Sequence, residues 1–175
     1  MMIAGQATRP MAVPYQAGTS SVVISLVPGA FLPGYPGTTL LDKTEILPSA
    51  NDSHFLLEGE AFLFPTFDTA EALIDDMARR GLIDYDEIVI KATGSGRPAL
   101  SDRAVQRHFS KTTGLSPKKL RQIKQAQLAV RLLKKGEKPA DAAAEAGYSD
   151  QPHLSKSLRR IMGSKPSDVE DIHKI

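Results

Sequence analysis

A single frame occurs twice in this chain and limits what it can fold into. An apolar residue is followed four positions on by another, then by Gly five further on and Pro three beyond that. The frame is Val105, Phe109, Gly114 and Pro117 in the first copy, and Leu154, Leu158, Gly163 and Pro166 in the second, 49 residues later. Residues four apart lie on one side of a helix. Gly past the last turn supplies a left-handed stop, and Pro opens the element that follows. Arg107 matches Lys156, and Lys111 matches Arg160, in the same register. Each copy is therefore expected to be a helix with a buried side, a basic side and a defined end.

The second copy comes with its neighbours in order. An alanine-rich helix over Ala140–Ala146 leads to a turn at Gly147 and a second helix over Gln151–Met162, which is a helix-turn-helix. Leu154, Leu158 and Ile161 are expected inside, with Lys156, Arg159 and Arg160 outside. Gln151 and His153 sit at the helix start, the end that reaches base edges when such a helix docks in a major groove. Pro152 is compatible with that first turn, whose amides have no intrahelical partner. In the first copy Arg103, Gln106, Arg107 and Ser110 project away from Val105 and Phe109. Arg can pair in two places with guanine and Gln with adenine, while flanking Lys and Arg neutralise phosphates.

The repeat breaks upstream of Ser101. Residues 139–146 map onto 90–97, which include Gly94 and Gly96, and two glycines in a helix cost roughly 2 kcal/mol against Ala. The support helix of the first copy is thus expected to be shifted, to Tyr85–Lys91, or lost. A helix over Lys118–Lys135, stopped by Gly136, connects the copies. It would be about 27 Å long, near the roughly 34 Å between major-groove faces one turn apart. Ile123, Ala126, Gln127, Val130 and Leu133 include a stripe able to contact both lobes.

The front of the chain is different in kind. Residues 1–100 hold 6 Lys and Arg against 12 Asp and Glu, a balance of −6, whereas residues 101–175 hold 16 against 8, a balance of +8. An acidic body carrying a basic, polyanion-binding half is the reading. Eight of the 12 Pro and nine of the 13 Gly lie in the first 100 residues, so the front is rich in turns. Residues 1–20 read as an irregular lead-in, Ser21–Val27 as a β-branched strand, and Gly29–Gly37 as a loop whose Phe31 and Tyr35 tuck onto a sheet. Glu45–Leu47, His54–Leu57 and Ala61–Phe64 read as short strands. Asp68–Arg80 reads as a helix capped by Asp68 or Thr69 and stopped by Gly81, and Tyr85–Lys91 as a helix or a strand. The expected fold class is α+β: a small β-rich region over 1–67, then an all-α, homeodomain-like double helix-turn-helix domain over 68–175. Its first lobe is about 68–117, its linker helix 118–135 and its second lobe 136–170.

No enzyme signal accompanies these patterns. There is no Cys, which removes disulfides, thiolate catalysis and cysteine-zinc sites. His54, His108, His153 and His173 have no metal spacing, and no cofactor or metal is implied. His108 reads as surface or packing and His173 as a frayed end. Glu58 and Glu60 alternate on one face of a strand, more in keeping with a solvated edge than with acid–base work. Phe62, Phe64 and Phe67 read as core. The Gly94–Gly96 segment lacks a phosphate-binding fingerprint and reads as a loop. No run reaches the roughly 18 apolar residues of a membrane span. The first ten residues are not a signal peptide, so a cytoplasmic protein without membrane contact is expected.

The segment from Ala144 to Pro166, with Gly147, Tyr148, Asp150, Gln151, His153, Leu154, Lys156, Arg160, Gly163 and Pro166, closely resembles the AraC/XylS family of bacterial transcription regulators, and Gln106 to Pro117 resembles the family's first copy. The resemblance extends over about residues 70–170. It implies two helix-turn-helix lobes joined by a helix, promoter DNA as partner, and activation or repression of transcription. Contacts with RNA polymerase, a homodimer and an effector of unknown identity belong to the same expectation. By position it makes Arg103, Gln106 and Arg107 the base readers of the first lobe and Gln151, His153 and Lys156 those of the second, with Lys111, Arg159 and Arg160 alongside. Pro28–Phe31 and Asp42–Thr44 faintly resemble the sensor region of one branch of the family, here reduced. The alternative is a module derived from that family that binds a partner protein and no longer reads DNA by itself.

Overall fold

Short strands and tight turns fill the front of the chain because no apolar run there exceeds a few residues. The structure, a computed structural model, describes residues 1–11, 18, 21–94, 96–163 and 165–171. The chain divides into two units, one extending to Ser116 and the other starting at Pro117, the second joined by an N-terminal stretch that includes Pro10. It combines small β-sheets with a helical region, an α+β arrangement.

In the first unit, β1 (Met2–Ala4), β2 (Ala30–Phe31), a single helical turn α1 (Gly37–Leu40) and strands β3 (Thr44–Ile46), β4 (Ser49–Asn51), β5 (His54–Leu57) and β6 (Glu60–Leu63) come first. They are followed by α2 (Ala70–Arg79), β7 (Asp84–Tyr85), α3 (Glu87–Thr93) and α4 (Asp102–Thr113). β4, β5 and β6 form an antiparallel meander, and β1 pairs with β3 and β2 with β7, both antiparallel. Strand β5 alternates, so Phe55 and Leu57 point inward at 1% exposure. They pack with Leu47, Phe62, Met77, Leu82 and Ile83, and the Phe55 and Phe62 rings stack at 5.7 Å. Burying each such side chain stabilises by about 1.5–3 kcal/mol. Helix α2 is therefore held by the β-core through its Met77 face, and Gly81 at φ 74 ends it. Arg80 then bridges Glu60 and Asp76, each at 2.7 Å, and lies over the Phe62 ring.

Several expectations for this unit need correction. Ser21–Val27 forms no strand. Val22, Val23 and Val27 are exposed and only Leu26 packs on the core; β-branched residues favour a strand only where a neighbouring strand offers a surface to pair with. The lead-in is not wholly irregular, since Met2–Ala4 pairs with Thr44–Ile46; its residues 12–17 and 19–20 lie outside the described residues, as does His173. Phe67 is 86% exposed and takes no part in the core. Glu58 and Glu60 do not share a strand face: Glu58 occupies the β5–β6 turn at φ 52, and Glu60 is paired to Arg80. Tyr85–Lys91 divides between the two readings, with Tyr85 ending β7 and the remainder entering α3.

Two contacts fasten α4 into this unit. Strand β2, paired with β7, lies against α4. In addition, α1 meets the C-terminal end of α4 backbone to backbone, and a Cβ on Gly37 would collide with the Gly114 amide nitrogen. The contact boundary therefore falls after α4, and the first reading helix shares its unit with the small sheets.

The second unit is helical: α5 (Pro117–Lys134), α6 (Pro139–Glu145), α7 (Gln151–Met162) and a 3-10 turn (Pro166–Asp171). Helix α5 buries Leu120, Ile123, Ala126, Ala129, Val130 and Leu132, and packs against α6, α7 and the 3-10 turn. Gly136 at φ 89 ends it.

Gly37→Ala should force α1 away from α4. Urea unfolding is expected to show a loss of about 1–3 kcal/mol; an unchanged midpoint would mean that the two backbones are not held together.

Candidate nucleic-acid interface

The geometry of α7 follows from its ends and its neighbours. The Asp150 carboxylate accepts from the His153 amide at 2.6 Å and caps the helix, Pro152 sits in the first turn, and Gly163 at φ 76 stops it. Asn, Asp and Ser are favoured there because a side-chain oxygen satisfies an amide that the helix cannot. Leu154 and Leu158 are fully buried and Ile161 is 3% exposed. Helix α6 presents Ala142, Ala143 and Ala146, all buried, and their small side chains permit close packing. Gly147 at φ 81 turns the chain. The Tyr148 hydroxyl then meets the Ser157 hydroxyl at 3.1 Å inside the lobe. The opposite side of α7 is an open, shallow concavity lined by Pro152, Ser155, Lys156, Arg159 and Arg160.

Helix α4 reproduces α7 in register. Both are 12 residues long, and the bounds Asp102–Thr113 and Gln151–Met162 differ by 49 residues at each end. Ser101, at the register position of Asp150, caps through a bond from the Ala104 amide at 3.3 Å. Gly114 ends the helix at φ 70, as Gly163 does in the second lobe. Phe109 is buried, and Val105 half-buried.

The support of the first lobe is shifted, not lost. Helix α3 ends at Thr93, leaving eight residues before α4, whereas five separate α6 from α7. The three additional residues accommodate Gly94 and Gly96 outside any helix. The Asp86 carboxylate compensates for the longer connection. One of its oxygens accepts from the Ile88 and Val89 amides, capping α3, and the other meets His108 Nδ1 of α4 at 2.7 Å. Val89 is fully buried beside this junction. His108 occupies the register position of Ser157, so each reading helix is tied at the same place, in α4 to the cap of its support helix by a carboxylate–imidazole pair and in α7 to the turn that follows α6 by two hydroxyls.

All nine residues picked out in the sequence are exposed: Arg103, Gln106, Arg107, Lys111, Gln151, His153, Lys156, Arg159 and Arg160. They do not all stand equally clear. Lys111 Nζ lies 5.5 Å from the Phe31 ring centre. Arg160 reaches Gln122 of α5 at 3.4 Å. The His153 ring meets the Ser149 hydroxyl at 3.1 Å and stands edge-on to Tyr148 at 5.2 Å. The Asp168 carboxyl is held below its ordinary range, first by the Ser167 hydroxyl, with Lys165 and then Arg159 adding to the effect. Ser155, which lines the α7 concavity, was not among the sequence candidates, although the 49-residue register places it opposite Gln106. The Asp86–His108 and Tyr148–Ser157 ties were missed as well; the same register would have paired His108 with Ser157. Among the described residues no group of three or more His, Asp and Glu is placed to hold a metal, and no helix is long and apolar enough to cross a membrane.

Two capped helices of equal length, each with a buried stripe, a polar outer face and a support helix across a turn, define a helix-turn-helix protein. A family model described as a helix-turn-helix domain matches residues 96–171. The matched segment is a helix-turn-helix domain of the AraC type. Such a domain binds double-stranded DNA and serves transcription regulation, not catalysis. No curated protein and no solved structure matches the chain.

Asp86→Ala should destabilise the first unit more than His108→Ala. The first change removes a cap, worth about 0.5–2 kcal/mol, together with the tie. The second leaves one buried acceptor without its donor, about 1–3 kcal/mol. Thermal unfolding of the two variants checks the order; a more damaging His108→Ala would show that the cap is dispensable.

Proposed function

We propose that this chain is a sequence-specific transcription regulator that binds promoter DNA with both helix-turn-helix lobes. The observation that carries the reading is the register identity of α4 and α7, with caps and stops at matching positions. A lone basic helix is common on protein surfaces; a second copy with the same ends and its outer face also left open is not required by packing. The interface consists of Arg103, Gln106, Arg107 and Lys111 on α4, and Gln151, His153, Lys156, Arg159 and Arg160 on α7. Arg103, Gln106 and Arg107 can make forked contacts to base edges, and the remaining cations neutralise phosphates. The alternative is a partner-binding module without DNA reading; the packing of α3 against α4 speaks for a first lobe built to dock. The reading extends to a cytoplasmic protein that contacts RNA polymerase at promoters, acts as a homodimer, and carries in its small β-region a reduced sensor.

Binding to duplex DNA should fall steeply between about 50 and 200 mM salt, because each neutralised phosphate adds about 0.9 to the logarithmic slope. Fluorescence anisotropy over a salt series tests this. Affinity for every duplex that does not respond to salt would refute DNA binding through these faces.

A further inference from the structure

The two reading helices share a register but not a chemistry. Along the outer face, Arg103 stands where Pro152 does, Gln106 where Ser155 does, Arg107 where Lys156 does, Ser110 where Arg159 does, and Lys111 where Arg160 does. We infer that the first lobe discriminates sequence, while the second supplies affinity that is nearly indifferent to it. This rests on the DNA-binding reading above.

The first half of a reading helix is the part that meets base edges. In α4 that half carries two guanidinium forks and an amide, Arg103, Arg107 and Gln106, three and four residues apart on one face. These side chains match guanine and adenine edges with two hydrogen bonds each. In α7 the same positions hold a proline ring with no donor or acceptor, a short hydroxyl that suits any base, and a lysine, which is a point charge without a fork. Arg159 and Arg160 lie in the last turn, away from the end that enters the groove.

The remaining candidates at the start of α7 do not restore the balance. Gln151 falls in register with Asp102, one residue before the outer face begins, which on a helix is about 100° round from Pro152. The His153 ring is turned toward Tyr148 and Ser149. What α7 retains is three cations, Lys156, Arg159 and Arg160, around an open concavity. That arrangement suits phosphates, which carry no sequence information.

The test uses the full chain. A preferred duplex is selected from a random pool, and wild type and variants are then titrated against it and against a scrambled duplex over a salt series. Gln106→Ala and Arg107→Ala should narrow the ratio of preferred to scrambled affinity by roughly ten- to a hundred-fold. Arg107→Lys should also narrow the ratio while leaving the salt slope unchanged, since it keeps the charge and loses the fork. Lys156→Ala and Arg159→Ala should weaken both duplexes alike, keep the ratio, and each lower the salt slope by about one. All these positions are exposed, and circular dichroism melts confirm that each variant folds. A ratio that collapses in Lys156→Ala but survives Arg107→Ala overturns the division between the lobes, as does a wild-type chain that binds both duplexes equally. A wild-type chain that binds no duplex at low salt overturns the DNA-binding reading as well.

Discussion

The first lobe depends on the Asp86 side chain, which is 9% exposed. A carboxylate withdrawn from water must be met by donors or it destabilises the fold. Here three donors converge on it: two amides of α3 and the imidazole of His108. The Asp86 amide in turn donates to the Gly29 carbonyl at 2.8 Å. One residue thus joins the strand-bearing front, the start of the support helix and the middle of the reading helix. That junction joins α3 and α4 directly across the eight-residue connection between them. The second lobe has no such requirement. Its connection is shorter, its support helix approaches through alanines, and the Tyr148–Ser157 pair is neutral.

How much of this was legible in the sequence depends on how local the cause is. Helix ends are local. Ser101, Asp150, Gly114 and Gly163 act within their own turns, and α7 begins at Gln151 and ends at Met162, where its pattern predicted. The ties between elements are not local. Nothing near His108 in sequence points to Asp86, 22 residues away, so its side chain reads as surface until the fold brings the two together. The front was read least well for the same reason. The valines between Ser21 and Val27 have a strand's composition, yet a strand requires a partner, and the sequence does not say that none is beside them. Phe67 looks like core by composition and lies outside it by topology. Glu58 looks like a strand residue, but the chain reverses there through Glu58 and Gly59.

The exposure of the nine interface candidates was also legible, because each falls opposite a buried stripe of period about 3.6. The inequality among them was not. Lys111 beside Phe31, Arg160 beside Gln122 and His153 beside Tyr148 are contacts made by the fold, and they separate side chains that identical spacing would treat as equivalents.

The close contact between Gly37 and Gly114 has a consequence for how such a chain can change. Where a sensor and a reader are joined by a loop, either can be exchanged by recombination and the other carries on. Here a backbone of the front presses on the last turn of the first reading helix, with no side chain between them to adjust. A side chain at Gly37 would collide with the end of that helix. The front and the first lobe are therefore coupled through their backbones, and a change in one at this spot is felt in the other.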